Sequence, residues 1–168
     1  MLIKQVISGG QTGADQAALV AAKNWGIETG GWMPKGFMTQ EGLCPSFAEE
    51  YGLWEHTQSD YKYRTGMNVW RAEATLRFAR DWRSAGELCT LNFIEHHDRP
   101  HMDVGVPESF NILEFLMHPT PPWKVADWIF LEGITRLNVA GNSEKTAPGI
   151  ANFVEAYMDT VFKILSEK

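Results

Sequence analysis

Two glycine-rich loops are the segments of this chain best suited to chemistry, because each follows a predicted strand and precedes a predicted helix. The first loop, residues 9–15, reads Gly-Gly-Gln-Thr-Gly-Ala-Asp. Glycines let backbone N–H groups approach a ligand closely, and the unpaired amides at a helix amino terminus favour negative charge. The loop therefore predicts an anion cradle suited to phosphate. Its predicted ligand-binding residues are Gly9, Gly10, Gln11, Thr12 and Gly13.

The first loop matches neither of the common phosphate-binding patterns. The dinucleotide fingerprint needs a further glycine, and the P-loop needs lysine followed by serine or threonine. Ala14 and Asp15 follow Gly13 instead, so a tight turn whose glycines serve only packing is the alternative. Asp15 is predicted either to accept a hydrogen bond from a ribose hydroxyl or, if the protein is an enzyme, to be its catalytic residue as a general base. An acid in the first turn of a helix is also favourable without such a role.

The second loop, residues 141–149, has the same design near the end of the chain. Thr146 stands where a helix N-cap is expected, and Pro148 suits the first helical turn. Because the carboxyl ends of parallel strands meet at one edge of a sheet, both loops are expected to face one ligand. An ordinary capped helix is the alternative. The predicted ligand-binding residues of this loop are Gly141, Asn142, Ser143 and Lys145.

The elements that position these loops alternate between strand-like and helix-like segments, which predicts an α/β fold. We expect one Rossmann-like three-layer domain, residues 1–168, with a mostly parallel sheet. The predicted strands are residues 2–8, 29–32, 72–79, 101–104 and 134–140. The predicted helices are residues 16–25, 84–97, 109–117, 122–131 and 147–165. Residues 38–68 lack a sustained period and predict a long irregular lid or binding loop.

Composition narrows the class of protein. The formal net charge of −6 argues against binding to a nucleic-acid backbone, which needs clustered cations. Cys44 and Cys89 lie far apart and predict reduced thiols rather than a disulfide or a zinc site. No targeting or membrane-spanning segment is recognisable, so a soluble cytoplasmic protein with no membrane partner is expected. Whether it forms a homo-oligomer is left open.

Two further side-chain groups deserve a functional interpretation. Lys35 and Arg64 lie in predicted loops, where a cation can pair with a phosphate, although solvation of the side chain is the alternative. The histidines of residues 96–101 suggest a metal site at first sight. Pro100 separates His97 from His101 and prevents them from sharing one helix face, so no metal site is predicted.

Four motifs, in order and spread over nearly the whole chain, resemble the family named putative molybdenum carrier. This family is the circularly permuted YpsA-like branch of the SLOG superfamily of Rossmann-like nucleotide-ligand proteins. The motifs are residues 7–15, residues 30–36, Tyr63-Arg64-Thr65 with Asn68, and residues 137–141 with residues 147–150. The resemblance places Lys35, Arg64, Thr65 and Asn68 in family motifs and implies that they bind the ligand.

The resemblance implies three different functions. The superfamily is associated with nucleotide-derived ligands, which implies a carrier or sensor of a phosphorylated nucleotide-like small molecule. The family name implies a carrier of molybdenum cofactor or molybdate. The phosphoribohydrolases of the superfamily imply a nucleotide-processing hydrolase. Molybdenum cofactor and a nucleotide-derived ligand are accordingly the two candidate cofactors.

The chain departs from the family pattern in two loops, and residues 110–133 are longer and more aromatic than the resemblance implies. Residues 83–88 read Arg-Ser-Ala-Gly-Glu-Leu, with Glu87 where the family carries a threonine. One anion donor is therefore expected to be lost there. In the second loop, Asn142 and Ser143 replace a basic residue, and Lys145 is expected to supply the missing charge.

Overall fold

A parallel six-stranded sheet forms the centre of the protein. The structure, a computed structural model, describes residues 2–109, 111, 115 and 117–168. The strands of the sheet are β1 (Gln5–Ile7), β2 (Glu28–Met33), β5 (Leu53–Glu55), β6 (Ala74–Ala79), β7 (His101–Gly105) and β8 (Arg136–Gly141), in the order β5-β2-β1-β8-β6-β7. Every neighbouring pair is parallel. Two further strands, β3 (Met38–Thr39) and β4 (Gly42–Leu43), form a separate hairpin.

Helices cover both faces of the sheet. They are α1 (Ala14–Asn24), α2 (Phe47–Tyr51), α3 (Tyr61–Arg71), α4 (Ala85–His96), α5 (Pro122–Leu131) and α6 (Ile150–Ser166). Helices α1, α5 and α6 pack together over one face, and α3 and α4 pack together over the other. The predicted three-layer α/β fold is confirmed. None of the helices in the described part of the chain combines the length and apolarity needed to cross a membrane.

One face of the sheet is apolar and the other carries buried polar side chains, as the alternation along β6 shows. Its alternate residues Leu76 and Phe78 point into the apolar core against α6, because successive side chains of a strand face opposite sides. Thr75 and Arg77 face the other layer, where the Arg77 guanidinium meets Glu87 of α4. The layer beneath α3 and α4 therefore holds buried polar groups next to the carboxyl edge of the sheet.

The prediction of an irregular loop over residues 38–68 is wrong. The segment contains the β3–β4 hairpin, α2, the sheet strand β5 and most of α3. A three-residue strand is too short to show a period of two, and Gly66 interrupts the helical pattern of α3. Packing explains the glycine at position 66, since a Cβ there would lie 2.7 Å from the Phe93 ring. Arg64, Thr65 and Asn68 consequently lie on a helix.

The other predicted elements agree with the structure apart from their ends. Helix α6 begins at Ile150 after an N-cap at Gly149, so Thr146 is not its cap and Pro148 precedes its first turn. Helix α1 begins at Ala14 rather than residue 16, and β1 is only three residues long. The predicted helix over residues 109–117 lies largely outside the described residues.

Candidate functional site

A cavity of about 520 Å³ opens at the carboxyl edge of the sheet. The loops after β1 and β8 and the first turns of α3 and α4 form its wall, as expected where strand order reverses in a parallel sheet. Its polar lining includes Gln11, Asp15, Arg64, Asn68, Ser84, Glu87, Asn138, Asn142 and Ser143. The volume lies within the range of typical small-molecule sites.

The amino terminus of α1 is closed by the protein's own groups. The Gln11 amide donates to Asp15 Oδ2 at 3.2 Å, and the Thr12 amide donates to Gln11 Oε1 at 2.9 Å. The Ala14 amide donates to the carbonyl of Asn142 at 3.2 Å. These amides already have acceptors, so an anion at the first loop would have to displace them.

The amino terminus of α6 is closed in the same way. The Glu144 carboxylate accepts from the Gly149 and Ala151 amides. Asp60 plays the corresponding part at α3, where its Oδ1 accepts from the Lys62 amide at 2.9 Å. An acidic side chain thus neutralises the positive end of each of these helices.

The amino terminus of α4 is different because its cap is neutral. Ser84 Oγ accepts weakly from the Glu87 amide, at 3.5 Å. Ala85 and Gly86 line the cavity, and their amides donate to no acceptor among the described residues. The amino terminus of α4 therefore offers two backbone donors beside the cavity, which suits a bound anion, and its first-turn acid is the buried Glu87.

Arg64 supplies a fixed positive charge to the cavity wall. Its Nη1 donates to Asp15 Oδ2 at 3.1 Å, and its side chain is 13% exposed. The guanidinium lies against the backbone of Gly9, where a Cβ would overlap Nη1. Arg64 Nε is buried and has no acceptor among the described residues. Asp15 therefore holds the Arg64 guanidinium in place in the cavity wall.

Two asparagines fix the loops around the cavity through backbone contacts. Asn68 pairs with both the N–H and the carbonyl of Trp32, at 2.7 and 3.1 Å. Asn142 Oδ1 accepts from the Arg80 and Asp81 amides, each at 2.9 Å. Their side-chain amides are thus committed to positioning the ends of β2 and β6.

The structure brings together most of the predicted ligand-binding residues. Those lining the cavity are Gly9, Gln11, Arg64, Thr65, Asn68, Gly141, Asn142 and Ser143, together with Asp15. Gly10, Thr12 and Gly13 do not line it, and Gly10 packs instead against Met33 and Leu53. Lys35 and Lys145 are exposed and lie outside its wall. A ligand contact stays a prediction for all of these residues.

Gly13 lies where the two glycine loops touch, so its substitution tests packing. A Cβ there would lie 2.6 Å from the Asn142 carbonyl and the Glu144 amide, and its φ is +87°. We expect Gly13→Ala to lower the free energy of unfolding by about 3 kcal/mol, from backbone strain and overpacking together. Gly26→Ala is the control, because Gly26 has a φ of +67° and open space around its Cβ position. Equal losses in urea denaturation would contradict the packing role.

Glu87, the third residue of α4, is a buried carboxyl in the cavity wall. Its side chain is 2% exposed, and Arg77 Nη1 lies 3.7 Å from its Oε2. Arg77 also makes a bidentate pair with Asp103, with Nε–Oδ1 and Nη2–Oδ2 distances of 2.8 and 2.6 Å. Burial, opposed by the attraction of Arg77 and assisted by repulsion from the Asp15 and Asp103 carboxylates, raises the pKa of Glu87 to about 7.

This raised pKa predicts that ionisation of Glu87 destabilises the fold. Between its ordinary value of 4.5 and about 7 the folded protein binds more protons than the unfolded chain, so stability falls as pH rises through that window. We expect Glu87→Gln to raise the free energy of unfolding at pH ~8 by up to about 3 kcal/mol, with little change at pH ~4.5. Urea denaturation at both pH values measures this. An equal effect at both would contradict it.

Sequence reasoning missed the residues at the start of α4 and the network behind them. Ser84 and Glu87 have the spacing of a helix-capping box, which was the available signal for a helix beginning at this position. The burial of Arg77 and Glu87 had no local signal, because it depends on the contact between β6 and α4. The expected loss of an anion donor at Glu87 overlooked the backbone amides beside it.

Metal-binding clusters and disulfides do not define this site. Within the described residues, no three or more histidine, cysteine, aspartate or glutamate side chains are grouped to hold a metal ion. Cys44 and Cys89 are both free. The cavity lining combines amides, hydroxyls, the Cys89 thiol, the Arg64 guanidinium and carboxyls.

Comparison with known proteins places the chain in a family. No match was found among curated proteins. A crystal structure named "Putative molybdenum carrier protein", from Syntrophus aciditrophicus SB, is 30% identical and superposes with a TM-score of 0.79, covering 98% of this chain and 95% of that one. Residues 6–162 match the family described as the circularly permutated YpsA SLOG family. The chain therefore belongs to the circularly permutated YpsA SLOG family.

Proposed function

We propose that the protein binds a phosphorylated, nucleotide-like small molecule in the carboxyl-edge cavity, as a carrier or sensor. The observation that carries this proposal is the open amino terminus of α4, where the Ala85 and Gly86 amides face the cavity without an acidic cap. Arg64 adds a guanidinium to the wall of the same cavity. Amides and a guanidinium together favour an anionic group over a neutral one.

The lining supports a ligand larger than a bare anion. The cavity volume of about 520 Å³ exceeds what a phosphate fills. Beyond the anion donors, Asn138 and Thr90 line the cavity and offer hydrogen-bonding groups to a sugar or a base. A phosphate at α4 with its nucleoside extending toward β8 is the arrangement that we propose.

A molybdenum carrier is a second candidate, supported by the name of the Syntrophus protein. Molybdate is a tetrahedral oxyanion and would use the same donors, the Ala85 and Gly86 amides and Arg64. Molybdenum cofactor also carries a phosphate and would place it there. Both would be cargo of the same cavity. The relative affinities of the candidate ligands, measured by calorimetry, therefore discriminate among them.

A nucleotide-processing hydrolase is the third candidate, with Asp15 as its catalytic residue. Asp15 lines the cavity, yet its Oδ2 accepts from the Gln11 amide and from Arg64 Nη1. Burial raises its pKa against the attraction of Arg64. These contacts favour a positioning role for Asp15, and turnover of AMP by the wild type but not by Asp15→Asn would instead support the hydrolase.

Calorimetry with AMP, adenosine, sulfate and molybdate tests the proposal. We expect AMP to bind more tightly than adenosine or sulfate, because only AMP contacts both the anion donors and the rest of the cavity. Molybdate or sulfate binding as tightly as AMP would favour the oxyanion carrier. No binding of any of the four at millimolar concentration would overturn the anion site. Mass spectrometry of ligand released from natively purified protein gives an independent identification.

A pair of variants at Ala85 ties binding to α4. Proline suits this first helical position because Ser84 before it is already extended, with a ψ of 149°. Ala85→Pro therefore deletes one cavity amide N–H while the helix is kept, and we expect a loss of about tenfold or more in AMP affinity. Ala85→Val is the control, because it adds similar bulk to an exposed position and keeps the N–H. Equal affinities in the two variants would place the anion elsewhere.

A further inference from the structure

Glu87 stands directly beside the proposed anion subsite. It is the third residue of α4, immediately after the two open amides of Ala85 and Gly86. Its side chain is 2% exposed, and its Oε2 has no hydrogen-bond partner among the described residues. A buried carboxyl oxygen without a hydrogen bond is costly, and Glu87 lies in the cavity wall, so its carboxyl is a candidate contact for a ligand.

The charged groups around Glu87 come from four elements, and they leave its own charge poorly compensated. Arg77 of β6 is 3.7 Å away, but its Nε and Nη2 are taken by Asp103 of β7. Asp15 of α1 repels the Glu87 carboxylate, and Arg64 of α3 attracts it more weakly than Arg77 does. The Arg64 charge is in turn shared with Asp15.

An anion at the α4 amides would bring a further negative charge next to Glu87. An ionised carboxylate and an anion in a site shielded from water repel each other strongly. A protonated carboxyl removes that repulsion, and its O–H donates a hydrogen bond to an oxygen of the anion. The protonation state of Glu87 and occupancy by an anion are therefore linked.

We propose that Glu87 couples ligand binding to proton uptake: the anionic group binds at the amino terminus of α4 together with a proton on Glu87, and both leave together. This inference rests on the proposed function of the cavity, whose anion subsite it specifies. Glu87 is then a specificity-determining residue, because the site binds the anion well only while the Glu87 carboxyl is protonated. A threonine at position 87 cannot ionise in this pH range, so it would bind the anion without a dependence on pH.

The coupling has a defined direction and limit. Because burial raises the pKa of Glu87 to about 7, the unliganded carboxyl loses its proton near neutral pH. Affinity for the anion should then be constant well below pH ~7 and fall above it. One proton per ligand limits the fall to about tenfold per pH unit. A carrier built in this way holds its cargo in mildly acidic solution and releases it in alkaline solution.

Calorimetric titration with sulfate over pH ~5.5 to 8.5 tests the coupling, because sulfate does not itself take up protons in that range. For the wild type we expect Kd to rise by up to about tenfold per pH unit above pH ~7. For Glu87→Gln, which is neutral at every pH, we expect a Kd that stays within twofold across the range. Glu95→Gln is the control, since it removes an exposed acid from the same helix. It should behave as the wild type does.

Two outcomes separate this inference from the proposed function. Sulfate that binds the wild type with no pH dependence, or with the same dependence in Glu87→Gln, would overturn the coupling and leave the anion site standing. Sulfate that fails to bind the wild type at every pH would overturn both. If Glu87→Gln does not fold, carbon-13 NMR titration of the Glu87 carboxyl in the wild type tests the coupling instead. Its pKa should rise when sulfate is added, and an unchanged pKa would overturn the coupling.

Discussion

Replacing Arg64 by methionine is expected to abolish anion binding and to lower the free energy of unfolding by about 3 kcal/mol or more. The substitution removes the cavity guanidinium and leaves Asp15, with a side chain only 3% exposed, without its partner. A buried charge that loses its counterion is among the costliest single changes in a protein. Arg71→Met is the matched control, because Arg71 is exposed in the last turn of the same helix. It should leave stability within about 0.5 kcal/mol of the wild type.

The double variant Arg64→Met with Asp15→Asn separates the two effects. Neutralising Asp15 removes the uncompensated charge, so we expect most of the lost stability to return in urea denaturation. AMP binding should not return, because the guanidinium is still missing. The loss in Arg64→Met alone should also be larger at pH ~8 than at pH ~5, since the unpaired Asp15 ionises as pH rises. Restored binding in the double variant would remove Arg64 from the ligand site.

The architecture could be predicted from the sequence because it depends on local patterns. The glycine turns, the alternation of strand-like and helix-like segments and the apolar run ending at residue 140 are each readable within a short window. The segment over residues 38–68 was not readable, because β5 has three residues and gains its strand character from pairing with β2. Tertiary contacts decide such short elements.

The donors at the site were harder to predict than its location. Both glycine loops lie at the cavity edge, as expected, but hydrogen bonds between distant residues decide which amides are free. The Asn142 carbonyl closes α1 from the second loop, and Glu144 folds back onto the start of α6. Helix-terminus chemistry identifies where anions could bind, whereas the acids that occupy such termini appear only in three dimensions.

Arg77 is the other position at which a large effect is expected. It is 3% exposed, pairs with Asp103 through two hydrogen bonds, and donates through Nη1 to the Glu87 carbonyl at 3.3 Å. Arg77→Ala removes all of these contacts and leaves a void between β6 and α4. We expect a loss of about 3 to 5 kcal/mol in the free energy of unfolding. Arg136→Ala on the neighbouring strand is the control, because its pair with Glu73 is half exposed and should cost at most about 1 kcal/mol.

The pH dependence of Arg77→Ala distinguishes a lost charge pair from a simple void. Without Arg77, the pKa of Glu87 should rise above about 7, so the carboxyl stays neutral at neutral pH. The fold then avoids part of the free-energy cost of burying an unpaired carboxylate. The destabilisation measured by urea denaturation should therefore be larger at pH ~9 than at pH ~6, where Glu87 is protonated in both proteins. Arg77→Met, which refills the void but not the charge, should recover stability at pH ~6 and recover less at pH ~9. An equal loss of unfolding free energy at both pH values would mean that Arg77 contributes packing alone. Arg77 would then not be the charge that lowers the pKa of Glu87.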